Sequence, residues 1–341
     1  MANNRIFYAI QAVGIGKTPT ATGAIDTETT SFKWMKGVQS VGITTNFNLE
    51  QAFELGQLEI YQNIENVPEI EVTIEKLIDG RELLYLQSVG EVGKTNIVSA
   101  ANNRADVFLA IYPDTASAVS GVSSESLLYC SGMYISNVAY TFPVDGNSTE
   151  SITLVGNDKK FYTGTGLNLA TSFAPITAAT PHSPNTNIAR RQHFIPASSS
   201  IPTEVSNAVR GGSGNIQNIN ISADFGRDNI FELGNFRPYY KFATYPISVT
   251  CDFEVISISG DLVSASGDAP NLPDTNAIKV FFDVNGLATS GGQLQIDLGS
   301  KNKLTSVNYT GGDTGGGNAS VTYSYQTFNK FLVSDSYTYW S

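Results

Sequence analysis

The sequence predicts a mainly β chain that uses one module twice, and three observations lead there. The first is repetition. The stretch from Val38 to Glu75 recurs from Ile216 onward: Phe53-Glu-Leu-Gly56 returns as Phe231-Glu-Leu-Gly234, and Gln39, Phe47, Tyr61 and Pro68 return as Gln217, Phe225, Tyr239 and Pro246, all 178 positions on. The second is period. Val41, Ile43, Thr45 and Phe47 alternate with Ser40, Gly42, Thr44 and Asn46, the two-residue spacing of a strand with one buried face. The third is composition. Charged residues make up 15% of the 341, below the roughly 25% of an average soluble chain. The 31 glycines, with many Thr, Ser and Asn, suit a turn-rich β protein. At this length two units can each hold a core.

Taken in order, residues 1–32 form an N-terminal strand, Arg5-Ile-Phe-Tyr-Ala-Ile-Gln-Ala12, and a polar arm. Gly16-Lys17-Thr18 is not a phosphate-binding loop, because Gln11 stands where that motif needs its first glycine; a Gly-rich turn is expected. The first module spans 33–163. Its first strand has the face described above, which the copy repeats as Ile219, Ile221, Ala223 and Phe225. A loop centred on Phe53 to Gly56 leads to a second strand, with Ile70, Val72 and Ile74 on one face and Glu69, Glu71, Thr73 and Glu75 on the other. Its copy follows at a spacing of 177, which puts Asp252 at the position of Glu75. Thr95 is placed as the cap of a short helix running through Asp106, before a strand Val107–Tyr112 that resembles Ile278–Asp283. Val138 and Tyr140 match Val307 and Tyr309 at a spacing of 169, and Ser151-Ile-Thr153 is matched to Ser320-Val-Thr322 at the same spacing. These are the arms of a hairpin, joined by Asp145-Gly146-Asn147 in the first copy. The second module spans 211–341. Residues 164–210 between them, rich in Thr, Ser, Ala and Pro, are expected to form a linker crossing the surface.

No Gly-x-Ser-x-Gly, His-Glu-x-x-His or Cys-x-x-Cys motif occurs. The two histidines, His182 and His193, fall in the linker without nearby Cys or paired carboxylates. No catalytic residue, cofactor or metal is expected, and the chain reads as a non-enzyme. Cys130 and Cys251 occupy non-equivalent places in the repeat and are expected as buried free thiols. Asn147-Ser-Thr and Asn318-Ala-Ser are formal glycosylation acceptors. However, the N-terminus lacks the pattern of a signal peptide and no 18-residue apolar run occurs. The expectation is a cytoplasmically made protein that is neither secreted nor membrane-bound.

A net charge of −11 argues against tight phosphate binding, which needs Lys and Arg to release counterions. The charge is uneven. From Gly37 to Glu75 there is no Lys or Arg, while Glu50, Glu54, Glu59, Glu65, Glu69, Glu71 and Glu75 all occur; the second copy is interrupted by Arg227, Arg237 and Lys241.

Several runs carry a resemblance. Ile64-Glu-Asn-Val-Pro-Glu-Ile-Glu-Val-Thr-Ile-Glu75, Glu232-Leu-Gly234 with Pro238-Tyr-Tyr240, Tyr245-Pro-Ile-Ser-Val-Thr250 and the hairpin Ser136 to Leu154 resemble the tail tube proteins of long-tailed bacteriophages. The likeness covers both modules and parts of the linker (Arg190-Arg-Gln192, Pro202-Thr-Glu204). It implies tandem β-sandwich modules, each with a short flanking helix, contributing strands to an inner β-barrel. Rings with sixfold or pseudo-sixfold symmetry would stack into the virion tail tube, a channel for genome ejection. Most members carry one module and form hexamers; a fused pair implies a homotrimeric ring, with a homohexamer the second option. The implied partners are further copies of the chain and other tail proteins, namely a sheath in a contractile tail, a terminator and a baseplate. DNA would pass through without specific binding. On this reading Glu69, Glu71 and Glu75 are candidate lumen-facing acids. The loops Phe53, Glu54, Leu55, Gly56 and Phe231, Glu232, Leu233, Gly234 are candidate ring contacts. The alternative is a carbohydrate-binding adhesin or other β-sandwich binding protein of the virion or cell surface, with Trp34 or Trp340 near its loops.

Overall fold

The computed structural model describes residues 6, 11–17, 32–91, 94–112, 124–167, 188–195, 201–208, 215–257, 260, 261, 263, 276–284, 294–312 and 317–335. Thr18, His182, Trp340, residues 5 and 7–10 of the Arg5–Ala12 pattern and most of 164–210 lie outside them. The described chain is mainly β. Its first half holds β1 (Gln11–Lys17), β2 (Phe32–Trp34), β3 (Val38–Asn46), β4 (Leu49–Phe53), β5 (Ile60–Glu65), β6 (Glu69–Leu77), β7 (Lys94–Asn96), β8 (Arg104–Ile111), β9 (Ser124–Pro143), β10 (Thr149–Gly156) and β11 (Asp158–Leu167). Its second half holds β12 (Ile216–Asp224), β13 (Arg227–Ile230), β14 (Tyr240–Ala243), β15 (Ser248–Ile256), β16 (Asn276–Phe282), β17 (Leu294–Thr310), β18 (Ser320–Phe328) and β19 (Leu332–Asp335). The helices are short: α1 (Leu84–Val89), α2 (Ile97–Ala100) and α3 (Thr203–Ala208).

Eight strands form one continuous antiparallel sheet in the order β3-β6-β10-β9-β12-β15-β18-β17. The long strands β9 and β17 each serve a second sheet through their N-terminal halves, β9 pairing with β8 and β11 and β17 with β16 and β19. One face of the eight-stranded sheet carries the core: Ile70, Val72 and Ile74 on β6, Val138 and Tyr140 on β9, Ile219 and Ile221 on β12, Val249, Cys251 and Phe253 on β15, all at most 2% exposed. The other face carries the alternate, polar residues, as the period-2 pattern requires.

The two four-strand groups agree down to their irregularities. Gln39 is skipped where β3 pairs with β6, and Gln217 where β12 pairs with β15. Ser136 is skipped where β9 pairs with β10, and Thr305 where β17 pairs with β18. These bulges fix the equivalences: 178 positions for β3 and β12, 169 for β9 and β17, 179 for β6 and β15, 171 for β10 and β18. Two sequence-based matches are thereby corrected. Glu75 is equivalent to Glu254, not Asp252, and Ser320 is equivalent to Thr149, not Ser151. Both are two-residue slips, which leave the apolar face unchanged and so escape a reading by period.

Other expectations also change. The helix expected from Thr95 to Asp106 is instead β7, the single turn α2 and the start of β8. Asn102 and Asn103 end the turn because their amides serve other elements: Asn103 Nδ2 donates to Val89 O at 2.7 Å, and Asn102 Oδ1 accepts from Ala243 N at 3.1 Å. Gly16 and Lys17 lie in β1 opposite Asp106 and Ala105, not in a turn. The described parts of the linker are bound into the core and do not simply cross the surface. Ala189 N donates to Ile78 O, Ser148 N donates to Ala189 O, and Ile201 and Val205 are buried. Cys130 and Cys251 are buried free thiols.

Inside the core, α1 begins at Leu83, whose side chain cannot cap. The cap comes from across the fold. Glu150 accepts from Leu84 N at 2.6 Å, Tyr85 N at 3.0 Å and the Tyr140 hydroxyl at 2.7 Å. This satisfies amides that a helix start leaves orphaned.

Candidate assembly interface

Among the described residues, three surfaces of the eight-stranded sheet stand open: its polar face, its two end strands and the hairpins at one end. On the polar face, Glu69, Glu71 and Glu75 lie together on β6 as the sequence predicted. They differ in surroundings. Ser40 Oγ donates to Glu75 at 3.4 Å, whereas Glu69 pairs with Lys241 of β14 at 3.5 Å. Lys241 is 2% exposed, and burial lowers its pKa while Glu69 opposes that shift. Glu69 is thus a joint residue as well as an acid of the face. Asp252 and Glu254 occupy the same face on β15, as the period of that strand predicts, and Asp224 joins them on β12, which the sequence reading did not single out.

The end strands are β3 and the segment 306–310 of β17. Among the described residues, each pairs on one side only, β3 with β6 and 306–310 with β18. Val41, Ile43 and Val307 are half-buried and Tyr309 is 51% exposed, whereas their equivalents Ile219, Ile221, Val138 and Tyr140 are at most 2% exposed. The difference has one cause: β9 and β12 cover each other.

That joint pairs seven residues of β9 with seven of β12, from Pro143 opposite Asn218 to Asn137 opposite Asp224. Arg227, at the foot of the second hairpin, locks it. Its Nε donates to Ile135 O and its Nη2 to Ala101 O, both at 2.7 Å, and its guanidinium lies 5.3 Å from the Tyr134 ring centre. Burial brings its pKa down to about 10, so it remains a cation at neutral pH. Tyr240 packs edge-on against Tyr134, its hydroxyl donating to Asn102 O, and Arg237 stands 3.9 Å from Asp158.

The two hairpins are the same structure in different circumstances. In each, Phe-Glu-Leu-Gly makes the tip: Gln57 N donates to Glu54 O and Asn235 N to Glu232 O, with Gly56 and Gly234 at φ of 92° and 91°. Positive φ at the third turn position suits a type II turn and explains why glycine stands there twice. Leu55 and Leu233 are fully exposed at the tips, with Phe53 and Phe231 exposed beside them. The β13–β14 hairpin leans on the first module and buries Lys241 and Ala243. Among the described residues nothing covers the apolar side chains of the β4–β5 hairpin, and Leu49, Leu58, Ile60, Tyr61 and Ile64 are all more than 40% exposed.

Among the described residues, no three His, Cys, Asp or Glu side chains converge as metal ligands, and no helix is long and apolar enough to cross a membrane. His193 accepts from Arg190 N through Nδ1.

No family model and no curated protein matches the chain. Among solved structures, similar chains occur in the cryo-EM structures of the anti-feeding prophage cap, of the anti-feeding prophage baseplate, and of the PVC extracellular contractile injection system sheath–tube complex in its extended state. Identities are 11%, 9% and 10%, with a TM-score of 0.33 in each case. The alignments cover 48%, 47% and 48% of this chain and 95%, 97% and 94% of those chains.

Proposed function

We propose that the chain is a structural subunit of a phage-tail-like tube. Copies join edge to edge into rings of three chains, and the rings stack into a channel for genome ejection. The observation that carries this reading is the β9–β12 joint. A strand of each kind is left open at the two ends of the same sheet, since β3 is equivalent to β12 and 306–310 of β17 to the paired part of β9. A head-to-tail contact between copies can therefore repeat the joint already made within the chain, and such a contact closes when the rotation permits. Carrying the register over sets Thr310 opposite Gly42, Tyr309 opposite Ile43, Asn308 opposite Thr44 and Ser306 opposite Asn46 of the next copy.

Closure would remove both open edges, which otherwise template aggregation. Three chains give a barrel of roughly 24 strands, beyond the 16–18 that already leave an aqueous channel in porins. The polar face would line it, with Glu71, Glu75, Asp224, Asp252 and Glu254 repelling the phosphates of a passing duplex. Other tail proteins, such as a sheath, a terminator or a baseplate, would meet the outside and the ends.

The test is a cross-link. Thr44→Cys with Asn308→Cys, both exposed positions, should yield covalent trimers on mild oxidation, while each single variant stays uncross-linked. The native thiols do not compete: burial pushes Cys130 up to about 12 and Cys251 well above its ordinary value. A double variant that remains monomeric on denaturing gels at concentrations where rings should form would overturn the proposal.

A further inference from the structure

The edge joint is not enough by itself to choose its partner. The apolar residues it would cover, Val41, Ile43, Val307 and Tyr309, are few, and three of them are already half-buried, so little further apolar surface leaves water against the cost of association. Nor does an edge of backbone groups distinguish a first module from a second. Within the chain, the β13–β14 hairpin adds that distinction through charge: Arg237 meets Asp158, and Lys241 meets Glu69.

Each of those four positions changes at the open ends, and the changes are matched. On the β4–β5 hairpin, Arg237 is replaced by Glu59, Lys241 by Asn63, Arg227 by Leu49 and Ala243 by Glu65, while Glu50 and Glu54 keep the acidic character of Asp228 and Glu232. On the second module, the acids that receive the cations are gone. Asp158 corresponds to Asn329 and Glu69 to Ser248, while Lys330 remains and Lys301 appears where the first module has Gly132. At this corner a cleft of about 510 Å³ is lined by Lys279, Asp297, Lys301, Lys330, Thr327 and Phe328; Lys279 is paired with Asp297 at 3.5 Å, which leaves Lys301 and Lys330 as the cations of the seat. Phe328 is 52% exposed, and Lys330 lies across Gly299. The equivalent of Phe328 in the first module, Asn157, lines the cleft under the second hairpin together with Phe231 and Phe236.

We infer that this corner is the seat for the β4–β5 hairpin of a second copy of the chain, with Phe53 and Leu58 on Phe328 and with Glu54 and Glu59 toward Lys301 and Lys330. The inference rests on the edge-to-edge reading above and adds a selection rule to it. The joint within the chain has its cations on the hairpin; the joint between chains has them on the seat. A first-module hairpin on a first-module seat would set Glu59 against Asp158 and Glu69. A second-module hairpin on a second-module seat would bring Arg237 and Lys241 to lysines without their acids. Both mismatched joints lose ion pairs or gain like-charge contacts, so the modules must alternate.

The experiment uses the full chain and sedimentation velocity. Wild type should assemble, and Lys301→Glu with Lys330→Glu should raise the concentration needed for half-assembly at least roughly tenfold. Adding Glu54→Lys with Glu59→Lys to that variant should restore assembly, and each variant should melt as wild type does, since all four side chains are exposed. Restoration by the second pair excludes simple misfolding of the first. If wild type assembles and the Lys→Glu variant assembles equally well, or the four-fold variant is not rescued, the seat is wrong while the edge joint stands. If wild type stays monomeric at all concentrations and the cross-link above also fails, the edge joint falls and the seat with it.

Discussion

Glu150 and Asp335 are both carboxylates in the core, and they differ in what surrounds them. Burial raises the pKa of Glu150, while two backbone amides, Lys76 and a tyrosine hydroxyl oppose that shift, and its oxygens are all the same spent on the start of α1 and on Tyr140. Asp335 has no such escort. Its Oδ1 has no hydrogen-bond partner among the described residues, and burial, with Glu82 nearby, pushes its pKa up to about 6. A carboxyl whose folded pKa lies above its unfolded value favours the folded state below the unfolded value, about 4, and loses that contribution as pH rises through about 6. Asp335→Asn should therefore stabilise the chain at pH 7.5, by about 1 kcal/mol once solvent screening is allowed for, and change it little at pH 4. Thermal melts at the two pH values check this, and an equal shift at both would contradict it. None of this was legible in the sequence. Glu150 reads there as one more polar residue in a strand, because nothing local says that α1, some 65 residues earlier, lacks a cap.

At the scale of elements, the paired hairpins were legible as a repeated Phe-Glu-Leu-Gly, and the turn geometry explains why those four residues recur. What the sequence concealed was the difference between them. It depends on a neighbour: the second hairpin lies on the first module, and the first hairpin stays exposed among the described residues. The exposed leucines at both tips belong to neither joint, and we propose that they make the contacts between rings. Leu55→Ser with Leu233→Ser should alter stability by less than about 0.5 kcal/mol, since both side chains are fully exposed. The same variant should form single rings and few stacked tubes in electron micrographs. Tubes of wild-type length would remove the tips from the ring-to-ring contact. The helix expected at Thr95 to Asp106 fails at this scale for a related reason, since Asn102 and Asn103 are occupied by contacts made elsewhere in the fold.

For the whole molecule, the duplication was visible because strands tolerate drift on their solvent face while the core face keeps its period. Its register was not, because a two-residue slip costs nothing in that pattern; only the shared bulges at Gln39 and Gln217, and at Ser136 and Thr305, fix it. The join of the two halves into one sheet was also hidden, as the pairing of β9 with β12 links positions separated by a segment with no periodic signal. That pairing turns two modules into one piece with complementary ends, and it is the centre of this account. Electron microscopy of the purified chain at high concentration tests it most directly. The account predicts hollow rings with six lobes built from three chains, and tubes formed by their stacking. Discrete single copies at every concentration, or open ribbons that never close, would contradict it.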